Sequence, residues 1–325
     1  MFLASYLLAA LAVILAWPAP IMLSRARWTA RSPETALVLW QAIALAGGLS
    51  MIGAMLMWGL EPLGDNLLQG LRGLTGLLLD ASPAAGLDLI HVFALSAALL
   101  LTVHLVFTLL LTYYKIRKQR GRHRDLLNLL SSPSADSPRT LVINHPAPVA
   151  YCLPGGGGSV TVLSNGLLEL LSPEELHAVM THEKAHLDQR HDLLLWAFAA
   201  WRSALPWLPT SKLARTAVNE LTEMLADDHA LKTSDRETLV RAIAVVAAGE
   251  RPQPGAGAAT TSVGDPAKAL LGAAETETFV TAHRLRRLLS PVPGLGRPAQ
   301  SAVLLGSALL LAVPTVLLVA PGLAS

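Results

Sequence analysis

Four stretches of this sequence are apolar for long enough to cross a lipid bilayer, and no other feature constrains the fold so tightly. They cover roughly residues 2–18, 36–60, 89–114 and 301–321. A hydrocarbon core about 30 Å thick is crossed by about 20 helical residues. Backbone groups in lipid must be satisfied internally, which leaves helices as the natural spanning element for such runs. Composition agrees: 52% of residues are apolar and 15% charged, far from the averages of soluble domains. The expected fold class is mainly α: an integral membrane protein with about four transmembrane helices and a cytoplasmic α+β domain carrying a small antiparallel sheet.

Charge orders these spans. The first has no Lys or Arg before it, while Arg25, Arg27 and Arg31 follow it, the reverse of a secretory signal. The next loop, about 61–88, carries Glu61, Asp65, Asp80 and Asp88 against Arg72. Lys115, Arg117, Lys118, Arg120, Arg122 and Arg124 follow the third span, and Arg284, Arg286, Arg287 and Arg297 precede the fourth. Basic residues mark the cytoplasmic side, and those after the third span can also bind anionic lipid. The expectation is a multi-pass plasma-membrane protein with both termini outside. Its parts are three transmembrane helices in 1–124, a cytoplasmic domain in 125–300 and a last span in 301–325. Arg outnumbers Lys and Ala is abundant, which hints at a GC-rich bacterial genome. The net charge is +2 and the basic residues cluster at membrane edges, so nucleic-acid binding is not indicated.

The chemistry lies in His182-Glu183-Lys184-Ala185-His186. Residues four apart share a helix face, so both imidazoles can reach one metal ion. Glu183 projects about 100° away, where it can act as general base toward water. Zinc suits two neutral imidazoles, a carboxylate and an open fourth position. The helix has a clear start: Ser172 as N-cap, Pro173 at the first position and Glu175 completing a capping box. A second helix, about 212–232, offers the third ligand. Glu223 is preferred to Glu220 because Asp227, four residues on, can fix the tautomer of a ligand imidazole. His191 lies off the ligand face by about 140° and reads as a supporting residue.

Elsewhere the signals are quieter. Thr140–Asn144, Ala150–Leu153 and Val160–Leu163 read as short strands. Gly155–Gly158 reads as a turn and is not a phosphate loop, because no Lys follows it. Leu193–Leu208 is apolar, with Trp196, Trp201 and Trp207, and reads as a membrane-facing or buried hairpin, core packing serving equally well. His104 is an intramembrane histidine. Loop 61–88 has the amphipathic character of an interfacial helix. Residues 251–267 read as a linker and 270–289 as a last helix. The single cysteine, Cys152, reads as a small core residue and excludes an internal disulfide.

Glu223-Met-Leu-Ala-Asp227 resembles the E-x-x-A-D signature of membrane zinc peptidases of the HtpX and CAAX-prenyl-protease kind. Ala150–Gly155, Val160–Leu167, Leu171–Glu183 and His186–Asp192 resemble the BlaR/MecR-type family. The likeness is close over about 138–232. It implies one zinc ion on His182, His186 and Glu223, with Glu183 as base. It also implies that Val160, Thr161, Val162 and Leu163 form an edge strand that receives the substrate as an added strand. The family's partners are protein substrates, often a cytoplasmic transcriptional repressor. A housekeeping membrane-protein protease and a non-catalytic scaffold are the alternatives. No Ser-x-x-Lys occurs in the sequence and only a few residues follow the last apolar stretch, so β-lactam acylation of this chain is not expected. Control is then expected from the spans, a sensor partner in the membrane or a second copy.

Overall fold

The computed structural model describes residues 1–79, 87–133, 140–153, 159–249 and 280–319. The glycine turn at 155–158, the linker at 251–267 and the first half of the helix expected at 270–289 lie outside these. The described chain is mainly helical with one small sheet, and it forms two compact units. One holds Met1–Lys115, Leu195–Asn219 and Gly294–Ser325; the other holds Ile116–Leu194 and Glu220–Pro293. The sequence suggests contiguous domains, whereas 195–219 belongs with the apolar helices. Its tryptophan-rich composition makes it a better neighbour for them than for a polar catalytic domain.

The first unit contains α1 (Phe2–Ala16), α2 (Pro18–Ser24), α3 (Pro33–Leu60), α4 (Leu67–Leu79) and the start of α5 (Leu89–Leu130). It also takes the end of α8 (His191–Ala204), the start of α9 (Pro209–Ala230), and α12 (Arg297–Val319). Four segments are long and apolar enough to cross a membrane: Phe2–Ser24, Pro33–Leu63, Leu89–Leu127 and Arg297–Val319. In their most apolar windows α3 is 50% buried and α5 only 6%, which makes α3 the hub and α5 a peripheral helix. Small residues let helices approach α3 closely. A Cβ at Gly53 would stand 3.1 Å from Leu318 and 3.3 Å from Leu8, so α1 and α12 meet α3 at this notch. Pro18 and Pro20 lack amide hydrogens and break the first span at Trp17. The amphipathic reading of loop 61–88 corresponds to α4; residues 80–86 of that stretch lie outside the described set.

The second unit contains the rest of α5, a sheet of β1 (Ser131–Pro133), β2 (Thr140–Ile143), β3 (Ala150–Leu153) and β4 (Val160–Ser164), then α6 (Asn165–Leu170) and α7 (Pro173–Asp188). The start of α8, the end of α9, α10 (Arg236–Gly249) and α11 (280–289) complete it. The strand order is β1-β2-β4-β3. Two expectations fail here. The sheet is mixed, because β2 and β4 run parallel while the outer pairs are antiparallel. And Val160, Thr161, Val162 and Leu163 do not form an edge, because β4 is hydrogen-bonded to β2 on one side and β3 on the other. The chain reverses twice after β2, and β4 inserts between its two predecessors. Val162 and Leu163 are accordingly buried. The edge is β3.

Leu163, Leu167 and Leu171 pack against Leu176, Val179 and Met180 of α7 and against Val245 and Val246 of α10. A second cluster joins Ala178, Ala230, Leu239, Ile243 and Leu288. Ser164 Oγ accepts hydrogen bonds from the Val149 and Leu167 amides and donates to the Ala147 carbonyl, fixing the corner between β4 and α6.

Candidate metal centre

α7 begins with the expected capping box. The Ser172 amide donates to Glu175 Oε2 at 2.9 Å, and the Glu175 amide donates to Ser172 Oγ at 3.3 Å. With the helix register fixed, His182 and His186 fall on one face. Their Nε2 atoms lie 3.3 Å apart. Glu223 of α9 closes the set: Oε2 is 3.4 Å from His182 Nε2, and Oε1 is 3.4 Å from His186 Nε2. These three residues form the metal-capable cluster among the described residues. Zinc bonds of about 2.0–2.1 Å in tetrahedral geometry need donors about 3.3–3.4 Å apart, so the donor set fits that ion. Glu220 stands outside it and pairs instead with His283 Nδ1.

Both imidazoles are held from behind. His182 Nδ1 donates to Asp227 Oδ1 at 3.0 Å, and Asp227 is fully buried. His191 Nε2 lies 3.1 Å from the Gln189 side-chain oxygen, which can only accept, so His191 Nε2 carries the hydrogen. His191 Nδ1 is then the acceptor, and His186 Nδ1, 3.0 Å away, is the donor. This chain of bonds leaves His186 Nε2 with a lone pair aimed at the cluster. A tight turn makes it: Arg190 takes φ 51°, a left-handed conformation that costs a non-glycine residue energy, and brings His191 back onto α7.

Arg284 of α11 is the residue that motif spacing missed. Its Nη2 and Nε donate to Asp227 at 2.7 and 2.9 Å, and its Nη1 lies 3.0 Å from Glu223 Oε2. Nothing in the spacing of the motifs reaches so far along the chain; only its membership of a basic cluster marked it. Arg287 donates to Asp228 at 2.7 Å, so α11 is riveted to α9 by successive pairs.

The electrostatics suit a cation. Burial opposes ionisation of Glu223 and Asp227, but His182 hydrogen bonds and the Arg284 charge hold both carboxyls down at about 2. Burial likewise opposes charging His182, yet its hydrogen bonds to Asp227 and Glu223 push its pKa up to about 9. Without a metal, a proton sits where the ion belongs. Burial lowers His186 to about 4, which keeps it the neutral ligand a metal needs. Glu183 takes no part in the donor set. Burial raises it to about 7, close to the value at which a general base is most effective at neutral pH.

A cavity of about 210 Å³ opens beside Glu183, walled by apolar residues including Val149, Ala150, Val179, Ile243 and Val246. That is below the ~300–1,000 Å³ usual for small-molecule pockets and suits a single side chain of a longer substrate.

Residues 117–283 match peptidase family M48, half of the chain and nearly all of the unit that holds the site. The chain belongs to peptidase family M48. It is a metallopeptidase with membrane-spanning helices. The matched segment runs from the end of the third apolar helix through the sheet, α7 and α9, and stops one residue short of Arg284. No solved structure matches the chain.

Proposed function

We propose that this peptidase is a zinc-dependent endopeptidase of the bacterial plasma membrane, cleaving a cytoplasmic or membrane-proximal protein in a regulatory step. The observation that carries the reading is the donor set of His182, His186 and Glu223 at tetrahedral spacing, with a buried carboxylate, Glu183, beside it but outside it.

When bound, zinc supplies Lewis acidity toward the scissile carbonyl and lowers the pKa of water. Glu183 takes the proton of the attacking water and returns it to the leaving amine. The apolar wall beside it seats one substrate side chain and excludes solvent. β3, an outermost strand among the described residues, is the edge that an extended peptide would join, and Ala150 at its start lines the cavity. Arg284 keeps Glu223 and Asp227 ionised and still.

The regulatory reading rests on the resemblance of residues 150–192 to the BlaR/MecR-type family. On this reading, sensing lies with the spans or with a partner in the membrane. Proteomes of cells carrying the wild type and Glu183→Gln test this. Fragments of one repressor, lost in the variant, are the expected result. Fragments of many membrane proteins would point to quality control, and no difference at all would sink the proteolytic reading.

A further inference from the structure

The hairpin between α8 and α9 is built as backbone in hydrocarbon has to be built. Its turn, 205–208, is not helical, so its carbonyls lack the partners four residues on that a helix gives; those of Leu205 and Leu208 accept instead from the Leu208 and Ser211 amides, at 3.2 Å each. In water they would be hydrated. In lipid each must find a donor within the protein. Here side chains complete the set. His104 Nε2 of α5 lies 3.0 Å from the Ala204 carbonyl. The one hydrogen of Ser211 Oγ is shared between the Leu205 carbonyl at 2.7 Å and that of Leu208 at 2.9 Å. Arg202 Nη1 donates to the Pro206 carbonyl at 2.6 Å. The service is returned: the one hydrogen of Thr210 Oγ1 is shared between the Leu15 and Ala16 carbonyls, at 2.8 and 2.6 Å, where the first span is broken by prolines.

The helix sections that the hairpin touches lie deep in the spans. His104 is roughly 16 Å along α5 from Lys115, where the basic cluster begins. A Cβ at Gly48 would stand 3.3 Å from the Trp201 ring, and Gly48 is roughly 22 Å along α3 from Pro33. Ala204, Leu205 and Leu208 pack with Met51, Leu101 and Leu105. Half of a hydrocarbon core is about 15 Å, so these contacts fall near its middle. Trp207 and Ser203 face outward at the tip, and Arg202 is the one charge between Leu193 and Leu208.

We propose that residues 196–211 form a re-entrant hairpin that enters the bilayer from the side of the peptidase unit, with its tip among lipid acyl chains and His104 capping its turn. This goes beyond the four spans and does not depend on the proteolytic reading. α9 runs unbroken from Pro209 to Ala230, so the helix that carries Glu223 starts inside the membrane.

The test uses the full chain in proteoliposomes, with Cys152→Ser removing the native thiol. Single cysteines replace Trp207 or Ser203 at the tip, and Lys232, exposed just past the far end of α9, serves as control. A charged, membrane-impermeant maleimide that reaches Lys232→Cys should label it at least tenfold faster than either tip variant, and added to the opposite face it should label none of the three. All three should label equally after SDS denaturation. A nitroxide at 203 or 207 should collide with oxygen in preference to a water-soluble nickel chelate. Tip labelling as fast as the control, or nickel collisions exceeding oxygen collisions, would overturn the proposal. For the cap, His104→Leu should lower the thermal midpoint and His104→Gln should restore it; equal midpoints for both variants would remove His104 from the device.

Discussion

His191 touches no donor atom of the cluster, yet it decides which nitrogen of His186 is bare. His191→Phe keeps the ring's bulk and removes the acceptor, so His186 is free to turn or to move its hydrogen to Nε2. Zinc affinity should fall roughly 10- to 100-fold, as it does when such supporting partners are lost. Unchanged affinity in a chelator competition would mean that packing alone orients His186. The same titration separates the two glutamates: Glu223→Ala should lose zinc, and Glu220→Ala, which breaks only the pair with His283, should keep it. A pH series adds a third reading. His182 carries a proton up to about pH 9 in the metal-free protein, and binding must displace it. Apparent affinity should therefore rise about tenfold per pH unit from 7 to 9 and level off above. An affinity flat between pH 7 and 9 would show that the site is not proton-loaded. The meeting of His182, His186 and Glu223 in one metal-capable cluster was legible because helical spacing is local. Asp227 was legible for the same reason, as the residue one turn beyond Glu223. Arg284 was not: it reaches Asp227 only through tertiary packing of α11 on α9, and no pattern around residue 284 announces a partner so far back in the chain.

At the scale of elements, periodicity located the strands but not their order. β4 alternates and is bounded by turn signals like an edge strand, and only its insertion between β2 and β3 makes it central. Helix ends were blurred for a different reason. An apolar window measures the membrane, not the helix, and α5 continues to Leu130 through Lys and Arg residues that are good helix formers. The corner after β4 has a steric requirement that only the structure exposes. A Cβ on Gly166 would overlap the Pro146 carbonyl oxygen, which is backbone and cannot swing away. Gly166→Ala should cost about 1–3 kcal/mol of stability or more, the range for overpacked sites. A thermal midpoint equal to that of the wild type would mean that the 145–147 loop yields freely.

At the scale of the whole molecule, charge bears on which side of the membrane faces the metal-capable cluster. The spans themselves were legible from length and apolarity, because lipid leaves so few alternatives. Their orientation rests on charge. Arg25, Arg27 and Arg31 follow the first span, Lys115 to Arg124 follow the apolar part of α5, and Arg284 to Arg297 precede α12. With spans alternating in direction, these three clusters fall on one side, and the acidic loop 61–88 falls on the other. Two of the arginines also serve the fold: Arg284 and Arg287 hold α11 to α9, so their number alone overstates the topological signal. In the cluster at 115–124 Arg120 also pairs with Asp192, and it is the six basic residues taken together that carry the argument. We therefore expect the metal centre to face the cytoplasm, within reach of a cytoplasmic substrate. A reporter active only in the cytoplasm should work when fused after Arg124 and stay silent when fused after Ser325. The opposite pattern would put His182, His186 and Glu223 outside the cell and remove every cytoplasmic repressor from the list of substrates.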